Sequence, residues 1–254
     1  GWLRSLSVGG RDVLPRLFAD EAALGSMEES RAIGTDWIRA LGALPNEYLF
    51  YYYCHRDAMA RIHQDQTRGE YLRDQQEAFY NAVLSDPEHA GRTWIDALAD
   101  REATYMAEAR DVDERSGRRA EDIAGGGYQK VALDLMNALA TNTPARMILN
   151  VGNGDGGFSS IPTLRDADIV EVPCDVDASG VHPIPVAPLE GAALGLVQSV
   201  KACENLVIDA ARERDRTLAW QALALHPLVD SVNVARNVLD QAIRTNPLVA
   251  AAFD

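Results

Sequence analysis

Apolar and polar residues alternate from Trp2 to Val8, as along a half-buried strand whose successive side chains face opposite sides. Gly9-Gly10 then turns the chain into a short amphipathic piece ending near Phe18, so the start reads as a small hairpin or as strand, turn and helix. Beyond it the period lengthens. A helix is predicted from about Ala32 to Leu41, closed by Gly42 and Pro45, and another from about Asn46 to Ile62, with Asn46 as N-cap and Glu47 where its charge complements the helix dipole. Further helices are predicted from about Thr67 to Leu84 and from about Ala90 to Glu108. The charged and then glycine-rich stretch from Asp111 to Gly127 reads as a loop, and Tyr128 to Ala140 again as helix.

The character changes after Asn142. Met147 to Val151 and Ile169 to Val172 are short apolar runs with β-branched content and read as strands, with His182 to Val186 as a third. Helices are predicted after them from about Leu189 to Arg212, Arg214 to Leu225 and Ser231 to Arg244, the last two separated by His226-Pro227, because proline cannot continue a helix. The fold class expected is therefore α+β, mostly helical with a small mixed or antiparallel sheet. No internal repeat or low-complexity tract interrupts it.

Composition narrows the function. With 254 residues and 47% hydrophobic content, the chain can bury the core of one large domain or of a domain and a half. A net charge of -14 argues against nucleic acid or an anionic membrane as partner, since both recruit a basic face. Cys54, Cys174 and Cys203 are far apart, odd in number and in no C-x-x-C arrangement, which indicates neither a disulfide framework nor a thiolate zinc site and points to a reducing, cytoplasmic setting. No apolar run reaches membrane-spanning length and no signal peptide opens the chain. The first residue is Gly, and Trp2 to Leu6 already reads as structured, so an upstream portion is expected to be missing.

Two stretches carry candidate chemistry. Gly152-x-Gly154-x-x-Gly157 matches the dinucleotide fingerprint, comes after a predicted strand, and has Glu171 near the place of a ribose-binding carboxylate. The fingerprint requires a helix to start at its third glycine, and the chain continues instead as Phe158-Ser159-Ser160-Ile161-Pro162, with too few residues for a crossover helix before the next strand. It reads as a glycine-rich connection between strands. The second stretch, Pro45 to Glu70, crowds five aromatic residues into its first half. At helical spacing Tyr48, Tyr51, Tyr52 and His55 share a stripe. Such a stripe is ordinarily core, although each buried phenol needs a hydrogen-bond partner that Phe would not. His55 and His63 lie eight apart with no carboxylate at metal-ligand spacing between them and read as ordinary histidines, and His226 reads as structural.

Pro45-x-x-Tyr48-Leu49-x-Tyr51-Tyr52-Tyr53 followed by Arg68-Gly69-Glu70 resembles the segment that glycoside hydrolase family 4 enzymes, especially the 6-phospho-β-glucosidases, carry just after their metal-binding histidine. Gly1-Trp2-Leu3 resembles the residues immediately C-terminal to that histidine. Asn150-Val151-x-Asn153, Ile169-Val170-Glu171-Val172-Pro173-Cys174 and Ala222-Leu223-x-x-His226-Pro227-Leu228-Val229 resemble later landmarks of the family, in the same order. The resemblance implies that residues 1-254 are the C-terminal catalytic and substrate domain of a family 4 glycosidase, similar to the C-terminal domain of the lactate and malate dehydrogenase-like superfamily, with the N-terminal Rossmann domain absent.

It implies a mechanism too. Family 4 enzymes are NAD-dependent exceptions among glycosidases. They oxidise the sugar at C3, which acidifies the C2 proton; a base removes it, manganese stabilises the enediolate, the aglycone leaves by elimination, water adds and the hydride returns. By resemblance Tyr48 is the C2 base, with Tyr51 and Tyr52 as alternatives, and Arg68 contacts the substrate phosphate, for which a guanidinium fork is suited. A phenol ordinarily titrates at about 10 and needs a nearby cation to act as a base, which a metal, Arg56 or Arg68 could supply. Without the resemblance, Tyr48 reads as packing, and Arg68 as pairing with Asp65 or Glu70 on a solvated face. The implied cofactors are NAD and Mn2+ in the longer enzyme, with neither held by this portion, and the implied substrate is a phosphorylated disaccharide or aryl glucoside. The implied assembly is a homo-oligomer, dimer or tetramer, and the portion alone is expected to be inactive. Two other readings stay open: the substrate domain of a 2-hydroxy acid dehydrogenase, which needs a His paired with an Asp in a cleft, and a non-catalytic helical oligomerisation module, in which Tyr48 and Arg68 lie buried or apart.

Overall fold

The structure is a computed structural model describing residues 1-63, 66-109 and 128-253. Residues Gly1–Gly125 and Gly126–Asp254 form two units. In the first, Gly9 and Gly10 take φ of 58° and 77°, the pair of left-handed residues that a tight hairpin turn requires. They join β2 (Ser7–Val8) to β3 (Arg11–Asp12). The expected alternating strand is split, since β1 (Trp2–Leu3) pairs instead with β4 (Leu44–Pro45). The Asp12 carboxylate accepts from the amides of Leu6 and Leu14 at 3.0 and 3.1 Å, which ties the hairpin to α1 (Leu14–Ala19) and holds that carboxyl below its usual range.

Three more short helices come next: α2 (Glu21–Ser26), α3 (Glu28–Ile33) and α4 (Thr35–Leu41). The single helix expected over 32-41 is interrupted by Gly34 at φ 98°, outside helical conformation. Leu24, Ile38 and Leu44 close this part with Leu17, Phe18 and Met27 around them. The tyrosine segment differs more. A 3-10 turn (Glu47–Leu49) leads into α5 (Phe50–Tyr53), Cys54 breaks the helix at φ -114° and ψ 30°, and α6 (His55–Ile62) begins anew. Asn46 does not cap it: its side chain makes no cap bond, and its Oδ1 is buried without a hydrogen-bond partner.

Phe50 anchors a second cluster with Ala58, Met106 and Ala109. It is 1% exposed, and truncating such a side chain to Ala costs about 3–5 kcal/mol. Thr67 opens α7 (Arg68–Ser85) with a full capping box, its hydroxyl taking the Glu70 amide while the Glu70 carboxylate takes the Thr67 amide. Helix α8 (Ala90–Ala103) returns antiparallel to α7 and stops earlier than expected, in a turn at Thr104–Met106 before a 3-10 turn (Ala107–Ala109). The predicted loop from Asp111 to Gly127 lies outside the described residues.

In the second unit α9 (Tyr128–Thr141) precedes a three-stranded antiparallel sheet of β5 (Ala145–Gly152), β6 (Ile169–Asp177) and β7 (Gly180–Pro183). The register pairs Met147 with Cys174, Leu149 with Val172 and Val151 with Val170 on one face. That face is the core side, where Val170, Val172 and Cys174 meet Ile161, Leu164 and Val181. The other face is open, with a bidentate pair from Arg146 to Asp175 at 2.8 and 3.0 Å. The third strand, expected from His182 to Val186, starts two residues earlier and ends three residues earlier. Helices α10 (Gly191–Glu213), α11 (Arg216–Leu225) and α12 (Val232–Thr245) fall within a few residues of the predicted spans, and α13 (Pro247–Phe253) adds a helix beyond them. Ala210, Ala219 and Leu239 form the core of this helical part. Among the described residues no helix is long and apolar enough to cross a membrane, and Cys54, Cys174 and Cys203 are free thiols.

Candidate active site

The 3-10 turn sets the fate of the tyrosines. Leu49 and Phe50 point into the core at 4% and 1% exposure, which turns Tyr48 outward to 47%. Tyr48 accepts a hydrogen bond from the Tyr105 hydroxyl at 2.6 Å. Tyr51 lies edge-on to Phe50 at 5.5 Å between ring centres and packs on the Phe50 cluster. Tyr53 accepts from the Trp2 indole at 2.8 Å and stacks edge-on to Trp37 at 5.7 Å. The predicted stripe of Tyr48, Tyr51, Tyr52 and His55 therefore does not form on one continuous helix, because the change of helix type and the break at Cys54 shift the angular phase. Of the three candidate bases, Tyr48 is the exposed one; Tyr51 and Tyr52 are half-buried.

Arg68 is the first residue of α7, where anions are favoured by the dipole and by amides that lack an intrahelical partner. Its Nη1 donates to Thr104 Oγ1 at 2.7 Å and its Nη2 to the Arg101 carbonyl at 3.0 Å, and its guanidinium lies 5.3 Å from the centre of the Tyr71 ring. It does not pair with Glu70. That carboxylate takes the Thr67 amide at 2.9 Å and hydroxyl at 2.8 Å, which hold its pKa below the usual range. Asp65, the other partner considered, lies outside the described residues. The hairpin beneath is latched by Tyr71 and Gln75, which both donate to Asp100, and by Gln75 to the Ala97 carbonyl at 3.2 Å. Burial, and then the Asp100 bond, push the Tyr71 phenol up.

Tyr48 and Arg68 are thus each bonded to one of two consecutive residues, Tyr105 and Thr104. Sequence reasoning named neither of these. Thr104 and Tyr105 lie at the end of a predicted helix and belong to no motif, and their relation to positions 36 and 57 residues earlier exists only in the fold.

The other candidates have local roles. His226 stops α11, its Nδ1 accepting from the Leu228 amide at 3.2 Å, a structural use. His182 lies 2.8 Å from Ser179 Oγ and 3.5 Å from Asp177 on the exposed β6–β7 hairpin, and not in the cleft that a dehydrogenase histidine needs. The Gly152–Gly157 loop opens no helix, and the Gly152 amide is already bonded to the Asp155 carboxylate at 2.7 Å, where a phosphate would have to sit. Asn153, fully buried, holds that loop: its Nδ2 donates to the carbonyls of Ile161 at 3.0 Å, Arg165 at 3.3 Å and Leu164 at 3.4 Å, and its Oδ1 accepts from the Ile161 amide at 2.8 Å. Among the described residues no three His, Cys, Asp or Glu side chains are placed to hold a metal ion.

A model of the family 4 glycosyl hydrolase C-terminal domain matches residues 1–229. A maltose-6'-phosphate glucosidase of Bacillus subtilis is 27% identical over 97% of this chain and 51% of its own length. A 6-phospho-beta-glucosidase of Thermotoga maritima is 24% identical over 96% and 52%. The chain thus spans about half the length of these relatives. The solved structure of a 6-phospho-beta glucosidase from Thermotoga maritima, with NAD and glucose-6-phosphate, superposes with a TM-score of 0.71 at 23% identity over 98% of this chain and 52% of that one. A 6-phospho-alpha-glucosidase from gut microorganisms, in complex with NAD and Mn2+, superposes with 0.66 at 22% identity over 98% and 53%. The mostly helical α+β fold with small antiparallel sheets, the fold class expected from the sequence, is shared with the superposed half of these solved structures.

Proposed function

The chain belongs to glycosyl hydrolase family 4, and on that premise we propose that it contributes the substrate half of a glycosidase acting on 6-phosphoglucosides, with Tyr48 as the base at C2 and Arg68 as the phosphate-binding group. The observation that carries this reading is the anchoring of an exposed phenol and a guanidinium on consecutive residues of one turn. A sugar phosphorylated at one end and reacting at the other needs such a pair of groups, one to receive a proton and one to hold the dianion. Arg68 uses one N–H on Thr104 and one on Arg101 in the bonds described, and its fork has further donors for phosphate oxygens. Tyr48 takes the C2 proton once C3 is a ketone; the electron pair left behind expels the aglycone from C1, water then adds its oxygen at C1 while C2 regains a proton, and the C3 alcohol is restored by return of the hydride that NAD would hold.

NAD and Mn2+, which serve oxidation at C3 and charge stabilisation in the family, are assigned to parts of the enzyme other than the described residues. The reading extends to either anomeric linkage, since the relatives named above include both classes. The assembly is proposed to be a homo-oligomer, dimer or tetramer, supported by apolar side chains that α7 and α8 leave exposed, among them Leu84 at 79% and Trp94 at 56%.

The test is kinetic, on the full gene product supplied with NAD and Mn2+ and given aryl α- and β-glucosides with and without a 6-phosphate. Arg68→Leu should raise KM for the phosphorylated substrate by about 10- to 100-fold and leave the unphosphorylated one unchanged, as loss of a charge-assisted contact predicts. Equal effects on both substrates, or none on either, would remove Arg68 from the phosphate site.

A further inference from the structure

The turn that joins α8 to the 3-10 segment, Thr104–Met106, keeps a backbone conformation that packing holds in place. Met106 sits in the left-handed region at φ 49°. An unbranched L residue visits that region at a cost, and such outliers persist where surrounding structure holds them. Here the hold is visible: Met106 is buried at 7% exposure against Phe50, Ala58 and Ala109. Phe50 is two residues from Tyr48, so the cluster that pins the turn also pins the segment carrying the phenol.

From this we infer that Thr104 and Tyr105 are positioning residues, Thr104 orienting the Arg68 guanidinium and Tyr105 the Tyr48 phenol, so that the turn sets the span between the anion-binding and proton-accepting groups. The inference rests on the roles proposed for Arg68 and Tyr48 and adds what determines their separation. Thr104 Oγ1 donates to the Asp100 carbonyl at 2.9 Å, which leaves its lone pairs for Arg68 at 2.7 Å. The second Arg68 bond, to the Arg101 carbonyl at 3.0 Å, uses the negative end of α8. A guanidinium held by two acceptors on one helix end has few rotamers left, which is the condition for a specific phosphate contact. The Tyr105 bond at 2.6 Å fixes the second phenol from the same two-residue step. A substrate that fits has its phosphate and its C2 hydrogen at the separation this step imposes. Glucose 6-phosphate, whose phosphate is remote from C2, probes that span, and glucose 1-phosphate, whose phosphate sits on the carbon next to C2, is its control.

The experiment uses the full gene product and two readouts, calorimetric binding of glucose 6-phosphate against glucose 1-phosphate, and the split of kcat from KM. Thr104→Val removes the acceptor with little change of shape and should weaken glucose 6-phosphate binding about tenfold while glucose 1-phosphate changes less than about twofold; Thr104→Ser should restore the wild-type affinity to within about threefold. Tyr105→Phe should lower kcat by about tenfold or more with KM within about twofold. Arg68→Leu and Tyr48→Phe are run beside them. If those two act and the Thr104 and Tyr105 variants do not, the positioning role is overturned while the site stands; if none acts, the site itself is wrong and the positioning role falls with it. If Thr104→Val and Thr104→Ser weaken binding alike, or both phosphates weaken alike, the turn is a structural staple and the inference is overturned.

Discussion

The hydroxyl of Tyr105 donates to the hydroxyl of Tyr48 at 2.6 Å, across 57 positions of sequence. The phenol that the family motif singles out is thus tied to a residue outside every motif. This contact separates Tyr48 from its neighbours, since Tyr51 packs on Phe50 and Tyr53 on Trp37.

Substitution should expose that difference. Tyr48→Phe is expected to lower kcat of the full gene product by about 10²–10⁴, the usual contribution of a positioned base. Tyr51→Phe is expected to change it by less than about tenfold and to act on stability instead. Steady-state kinetics on an aryl 6-phosphoglucoside decides, and the opposite ranking would move the base to Tyr51.

The 254-residue chain assayed by itself with NAD, Mn2+ and phosphorylated aryl glucoside is expected to release no aglycone above background. The reason is that its described residues place neither three metal donors together nor a helix at the glycine fingerprint. Robust turnover would contradict the assignment of both cofactors to other parts of the enzyme.

Asn153 should matter for folding and not for chemistry. Replacing it by Ala leaves buried backbone groups of the 161–165 segment without their partner, and the expected loss is about 3 kcal/mol or more, read from urea denaturation. A Gly157→Ala change, at φ 71°, should destabilise by a smaller amount through backbone strain alone.

Stability should fall with acid in a way that traces to named carboxylates. Glu70 titrates below its ordinary value of 4.5 because of the Thr67 amide, then the Thr67 hydroxyl. A depressed carboxylate contributes stability that is complete above its unfolded value and lost as pH falls below 4.5 through the folded value. Glu70→Gln should therefore lower the melting temperature near neutral pH and reduce its slope below pH 4.5, as followed by circular dichroism across that range. An unchanged slope would mean that the capping box is not formed in solution.

If the exposed side chains of α7 and α8 are the oligomer contact, Leu84→Asp with Trp94→Asp should reduce the mass seen by light scattering while leaving the helical signal intact. Unchanged mass would place the interface elsewhere.

Features governed by neighbours within a few residues were legible in the chain before it folds. The span of α7 comes from Thr67 and Glu70, the start of β6 from the β-branched run at Ile169 to Val172, the stop of α11 from Pro227, and the rejection of the glycine fingerprint from the residues just after it. Family membership was legible as well, because it rests on ordered short motifs. Packing in three dimensions settled where the tyrosine helix breaks, which tyrosine faces outward, and that Asn46 is no cap. It also brought Thr104 and Tyr105 to Arg68 and Tyr48. The physical reason is range: capping and periodicity act through hydrogen bonds three or four residues apart, whereas those contacts depend on how Phe50 and Met106 pack into one cluster, a choice that no local stretch of chain contains.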